Sequence, residues 1–189
     1  MPDGSQLSRP ASAALVTWPN VITFGRLCAV PLAFWLILDH SMGLAFFLFV
    51  AAGASDAVDG WLARRNGGGN SVGAVLDPVA DKALLVTMYV TLASVNELPD
   101  WIAILVVFRD LVIVGGVLVL AVLGDPVTIR PLYISKLNTA MQLILVAMTL
   151  ALAGFGLHAE LAKLLLIWIV AATTLSSGAA YVWVTVRGR

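Results

Sequence analysis

The stretch SDAVDGWLARRNGGGNSVGAVLDPVADK, from Ser55 to Lys82, decides how the chain folds and what chemistry it can carry. Four aspartates, Asp56, Asp59, Asp77 and Asp81, stand here in a chain that is 60% apolar and only 12% charged. A carboxylate near a hydrocarbon core costs about 2.5–3.5 kcal/mol on insertion scales, so four together need a compensating partner. Asp56 and Asp59 are three apart, Asp77 and Asp81 four apart, and on helices each pair shares a face. Arg64, Arg65 and the run Gly67-Gly68-Gly69-Asn70-Ser71 predict a polar turn that folds the second helix back on the first. The four carboxylates then converge at one membrane face.

Carboxylate oxygens suit hard divalent cations, Mg²⁺ or Mn²⁺, which keep positions for water or a substrate phosphate. A pair of such ions roughly 3.5–4 Å apart stabilises both the attacking and the leaving oxygen of an in-line displacement at phosphorus. The segment therefore points to phosphoryl transfer with two divalent ions. Capping offers a structural alternative for one residue: Asp77 before Pro78 is a good N-cap with proline at the first helical position. It does not account for four. Gly60, Ala63 and Gly73 leave space beside the carboxylates, which serves either ligand access or close helix packing.

These residues fit the pattern D-x-x-D-G-x-x-A-R, eight residues, then G-x-x-x-D-x-x-x-D, at Asp56, Asp59, Gly60, Ala63, Arg64, Gly73, Asp77 and Asp81. The chain thereby resembles the CDP-alcohol phosphatidyltransferases. The resemblance implies a six-helix membrane enzyme, working as a homodimer, that moves a phosphatidyl group from a CDP-linked lipid to an alcohol and releases CMP. It further implies that the four aspartates hold the metals and that Asp81 is the general base. The CDP-lipid would lie beside Asp59, Gly60, Ala63, Arg64 and Gly73, with Asn20 and Thr23 of the first helix near its diphosphate.

With 189 residues and no net charge, the chain predicts one membrane domain and no nucleic-acid partner. Cys28 is the only cysteine, which excludes an intramolecular disulfide and cysteine metal sites. Residues 1–18 are expected to form a juxtamembrane segment, with Ser8 to Thr17 along the interface, and 19–189 the six-helix domain. The first seventeen residues lack the features of a signal or mitochondrial transit peptide, so a bacterial plasma membrane is the simplest location. Apolar runs at about 20–38, 43–64, 74–95, 100–123, 136–154 and 160–186 are each long enough to cross a bilayer. The fold class is thus all-α and polytopic. Arg9, Arg64, Arg65, Arg130, Lys136, Arg187 and Arg189 fall on one side, which the positive-inside rule makes cytoplasmic together with both termini and the aspartate turn. Trp18, Trp61, Trp101 and Trp183 fit an aromatic belt, whereas Trp168 is expected to pack.

Asn20, Thr23 and Arg26 share a face of the first helix; either they cap and snorkel to the headgroups, or they touch the donor. Arg109 and Asp110 interrupt the fourth span. Neighbours point about 100° apart on a helix, so these two are not expected to pair with each other. Arg109 should face the bundle interior and a partner there, either an aspartate of the metal site in a structural ion pair or, the favoured reading, an acceptor phosphate. Arg130, Ser135, Lys136 and Asn138 gather donors at the entrance of the fifth helix as the rest of an acceptor site, with Gln142 one turn deeper. The run ISKLNTAMQLILVA resembles the cardiolipin synthases within the same family, which implies phosphatidylglycerol as acceptor and CDP-diacylglycerol as donor. Glycerol 3-phosphate, giving phosphatidylglycerol phosphate, is the nearest alternative. His40 and His158 belong to outer loops, and Met42 and Glu160 two residues on exclude the paired H-x-K motifs of the phospholipase D type. A divalent-cation transporter also uses intramembrane carboxylates, but it needs neither Gly60, Ala63, Arg64 and Gly73 at their spacing nor an arginine beside a cation path.

Overall fold

Runs of leucine, valine, isoleucine and alanine broken by short polar turns leave the backbone one solution in an apolar medium, the helix, which satisfies every interior N–H and C=O locally. The computed structural model describes residues 18–66, 73–122 and 133–187, with side chains over 24–55, 80–116, 133–181 and 183. Six helices follow: α1 (Trp18–Leu38), α2 (Met42–Asn66), α3 (Gly73–Ser94), α4 (Asp100–Val122), α5 (Tyr133–Phe155) and α6 (Glu160–Arg187). No strand occurs among the described residues, and the helix bounds lie within about three residues of the expected spans. The interfacial segment expected at Ser8–Thr17, the glycine turn at Gly67–Ser71 and Arg130 lie outside the described residues.

Tight turns join α1 to α2, α3 to α4 and α5 to α6. After α1, His40 N–H donates to Ile37 C=O and Ser41 N–H to Leu36 C=O, with His40 in the left-handed region at φ 57°. After α3, Asn96 N–H donates to Ala93 C=O and Glu97 N–H to Leu92 C=O, with Asn96 at φ 63°. Both are Schellman caps, which use up the last orphan carbonyls of the helix. Gly156, at φ 64°, opens the third turn. Lys163, on the first turn of α6, pairs with Glu97 at 3.4 Å, and α2 meets α5 at Gly43 and Gly154. These contacts bring the three turns to one end of the bundle, so α1, α3 and α5 run towards it and the aspartates of α2 and α3 fall towards the other.

The helices touch in a ring, α1–α2–α5–α6–α4–α3 and back to α1, with a lighter contact of α3 on α5 across the middle. Tyr89, Met88, Ile102, Leu145, Val146 and Leu150 are sealed in its core. Polarity is inverted relative to a water-soluble protein. Phe108 is 63% exposed, and Ile104, Leu111, Leu161 and Leu175 also face outward, while Arg109, Asn138, Gln142 and Ser177 are buried. Hydrocarbon is the solvent that suits such a surface. By length and composition, Tyr133–Phe155 and Glu160–Tyr181 can each cross a membrane. Trp168, expected to pack, does so at the outer surface of α4 and α6, facing outward with its ring 5.5 Å from that of Trp101.

Candidate active site

Helix α2 runs through Asp56, Asp59, Gly60, Ala63 and Arg64, and α3 through Gly73, Asp77 and Asp81, so both aspartate pairs stand on helical backbone. Asp77 lies four residues inside α3, so N-capping does not explain it. Of the four aspartates, Asp81 is the one whose side chain is described; those of Asp56, Asp59 and Asp77 lie outside the described residues, as do those of Asn20, Thr23, Ala63 and Arg64. Asn20 and Thr23 fall within α1.

Asp81 is poised between core and opening. Its side chain is 46% exposed, and its Oδ1 accepts a bond from Nη1 of Arg26 at 2.7 Å. Arg26 itself is buried, only 3% of its side chain exposed, so it does not snorkel to headgroups as one alternative expected. A guanidinium so enclosed needs an anion, and the nearest turn of α3 provides it. The pair ties α1 to α3 and fixes one oxygen of the carboxylate. Carboxylates are the donor chemistry of a hard divalent cation, and Asp81, half exposed, is one that a cation can reach.

The next residue, Lys82, starts a second chain of contacts. Its Nζ lies 2.6 Å from Oδ2 of Asp110, whose Oδ1 receives Nη1 of Arg109 at 2.8 Å. Arg109 and Asp110 thus do pair, against the expectation from helix geometry: backbone directions diverge, but the long arginine side chain curls back to its neighbour once both are excluded from water and lipid. Nη2 of Arg109 donates to the hydroxyls of Ser135 on α5, at 2.7 Å, and Ser177 on α6. One polar layer consequently links α3, α4, α5 and α6, with Arg26 and Asp81 continuing it to α1. Asn138 is sealed, its side chain within hydrogen-bond distance of Thr173 and Thr174, while Lys136 is exposed at the start of α5.

Arg109 and Ser135, expected together, are together; Lys136 and Asn138 share their helix but not their surroundings. Sequence reasoning missed Lys82, Asp110 as the shared counter-ion, and the α6 hydroxyls Thr173, Thr174 and Ser177. The hydroxyls carried a signal: at spacings of three and four within an apolar span, they share a face.

A family model described as CDP-alcohol phosphatidyltransferase matches residues 16–176. A cardiolipin synthase (CMP-forming)/mitochondrial hydrolase fusion protein of Schizosaccharomyces pombe is 37% identical over 191 residues, covering 93% of this chain and 32% of the relative. The cardiolipin synthase (CMP-forming) of Homo sapiens is 32% identical over 179 residues, covering 86% and 59%. A CDP-diacylglycerol–glycerol-3-phosphate 3-phosphatidyltransferase of Bacillus subtilis is 31% identical over 182 residues, covering 86% and 92%. Against the first two, the chain spans about a third and three fifths of the relative's length. The match encloses the aspartate helices and all of the polar layer but Ser177, one residue past its end, and on it this chain belongs to the CDP-alcohol phosphatidyltransferase family.

Proposed function

We propose that this chain is a membrane phosphatidyltransferase that moves a phosphatidyl group from CDP-diacylglycerol to phosphatidylglycerol, giving cardiolipin and CMP. What carries the reading is Asp81: a half-exposed carboxylate, held at one oxygen by a buried arginine, on the helix end that carries Asp77. Asp81 takes the proton of the acceptor hydroxyl, the hydroxyl oxygen forms a bond to the lipid-bearing phosphorus, and the phosphorus–oxygen bond to CMP breaks. Arg26 orients that carboxylate and balances its charge. Asp56, Asp59, Asp77 and Asp81 would hold two divalent ions, Mg²⁺ or Mn²⁺, which when bound supply charge neutralisation at the diphosphate. Positioning and electrostatics carry the rate, as in phosphoryl transfer generally.

Asn20, Thr23, Asp59, Gly60, Ala63, Arg64 and Gly73 line the CDP-lipid site. Arg109, Arg130, Ser135, Lys136 and Asn138 form the acceptor site, and Arg109 also holds the Ser135 hydroxyl in place. Asn138 closes the site from below. All six helices cross a bacterial plasma membrane with both termini and the aspartate end in the cytoplasm, and two copies associate. The outward apolar surface and buried polar layer support the membrane setting. Glycerol 3-phosphate is the second reading, favoured by the relative in Bacillus subtilis, nearly all of whose length is matched.

Purified protein given CDP-diacylglycerol and each acceptor in turn should release CMP, with cardiolipin as the lipid product from phosphatidylglycerol. Release with glycerol 3-phosphate alone would reassign the acceptor, and no release with either would reject the activity. Asp81→Asn should lower turnover by at least about 10²-fold, the usual worth of a general base, while CDP-lipid binding persists. Near-normal turnover removes Asp81 from the role.

A further inference from the structure

The side chain of Gln142 is fully buried, and neither Nε2 nor Oε1 has a partner among the described residues. An amide left so in an apolar interior costs about 1–3 kcal/mol, so the position is poor for stability unless something fills it. Its neighbours offer no rescue. Asn138, one turn before it, is engaged with Thr173 and Thr174, and Thr173 Oγ1 also lies within reach of two main-chain carbonyls. A hydroxyl has one proton to give, so an exchange of nitrogen and oxygen in the Asn138 amide satisfies that nitrogen. No such exchange helps Gln142, because both of its polar atoms are unpartnered.

Gln142 is also tied to the site. Its main-chain carbonyl accepts the hydroxyl of Tyr89 at 3.3 Å, which sets α5 against α3 about two turns beyond Asp81. α3 and α5 run in the same direction, and side chains lean towards the N terminus of their helix. Tyr89 therefore reaches back along α3 to meet Gln142, and the Gln142 amide reaches back again towards the level of Asp81. Arg109 and Lys82 already share a carboxylate in this interior, whereas the unfilled capacity is a neutral donor and acceptor side by side. A hydroxyl, itself donor and acceptor, matches it; a phosphate or an ammonium does not.

We propose that Gln142 binds the hydroxyl adjacent to the one that reacts, and so selects acceptors that carry a vicinal diol. The inference rests on the phosphatidyltransferase reading of the site. Seating the head group parts the light contact between α3 and α5 and gives the amide its partner.

The test pairs a deletion in the protein with one in the substrate. Phosphatidylglycerol and phosphatidyl-1,3-propanediol have the same reacting primary hydroxyl, but the second lacks its neighbour. Wild-type protein should lose about tenfold in kcat/KM for CMP release on going to the second, the scale of one lost hydrogen bond. Gln142→Leu and Gln142→Met should be about tenfold slower with phosphatidylglycerol and indifferent between the two lipids. Their thermal midpoints in detergent should match or exceed wild type, since the unsatisfied amide is gone. If the variants still discriminate by the wild-type factor, Gln142 holds only an internal water and the proposal is overturned. Indifference of the wild type overturns it without any variant. Should wild type use glycerol 3-phosphate and not phosphatidylglycerol, the acceptor assignment fails on its own. The same comparison with 1,3-propanediol monophosphate then judges Gln142 separately.

Discussion

At the turn end of the bundle α2 and α5 rest backbone on backbone beside a single ion pair, Lys163–Glu97, whereas at the aspartate end a chain of ion pairs reaches between helices. A Cβ built on Gly154 would stand 2.6 Å from the main-chain nitrogen of Gly43, so α2 and α5 meet there without intervening side chains. Such a contact admits one geometry, as in small-residue crossings within lipid. Across the bundle, Arg26, Asp81, Lys82, Asp110 and Arg109 hold α1, α3 and α4 by ion pairs. Ion pairs can be exchanged for bonds to a charged substrate; a backbone contact cannot. The molecule joins a fixed end to one whose contacts are chemically interchangeable with ligands.

Removing Asp110 strikes that contrast hardest. Asp110→Ala leaves Arg109 and Lys82 without their shared carboxylate, and stripping one member from a buried pair costs about 3–5 kcal/mol. The thermal midpoint in detergent should fall steeply; an unchanged midpoint would mean that the polar layer is not what holds the aspartate end. Next in size is Gly154→Ala, whose methyl group meets main-chain atoms that cannot swing aside, at a cost of about 1–3 kcal/mol. Gly43→Ala sharpens the point from the other side of the same contact. There the added carbon would be 3.7 Å from the nearest atom, Gly154 O, so it should be neutral or slightly stabilising through helix propensity. Equal losses for the two would refute the asymmetry. Smallest is His40→Gly. His40 occupies the left-handed region at φ 57°, where glycine has no Cβ penalty, and the gain after glycine's greater unfolded entropy is about 0.5 kcal/mol. Its midpoint should rise a little with turnover unaltered, and a fall would show that the imidazole makes a contact worth more than the strain.

Helix number and bounds were legible because apolar run length is a one-dimensional quantity in a membrane protein, and turns such as Asp39-His40-Ser41 interrupt it plainly. The helices that carry the aspartates were legible for a similar reason: local spacing predicts helix around Asp56 and Asp59 and around Asp77 and Asp81, and they stand on α2 and α3. Partners for Arg26 and Arg109 were not. Arg26 is 55 residues from Asp81, and Ser177 is 68 from Arg109. No periodicity within one span states which face of another span it will meet. The expectation that Arg109 and Asp110 stay apart failed because it counted only backbone direction. In a sealed interior, the cost of an unpaired charge outweighs the bend needed to close the pair.

By itself, then, the order of residues determined a chain of helices with Asp56 and Asp59 on the second and Asp77 and Asp81 on the third, since helix and acid spacing are both local. Only the tertiary structure decided that Arg26 serves Asp81, that Lys82 and Arg109 divide Asp110 between them, and that the buried Gln142 amide finds no partner among the described residues. Those outcomes depend on how the ring of helices closes, which sets distances between residues that the chain itself leaves tens of positions apart.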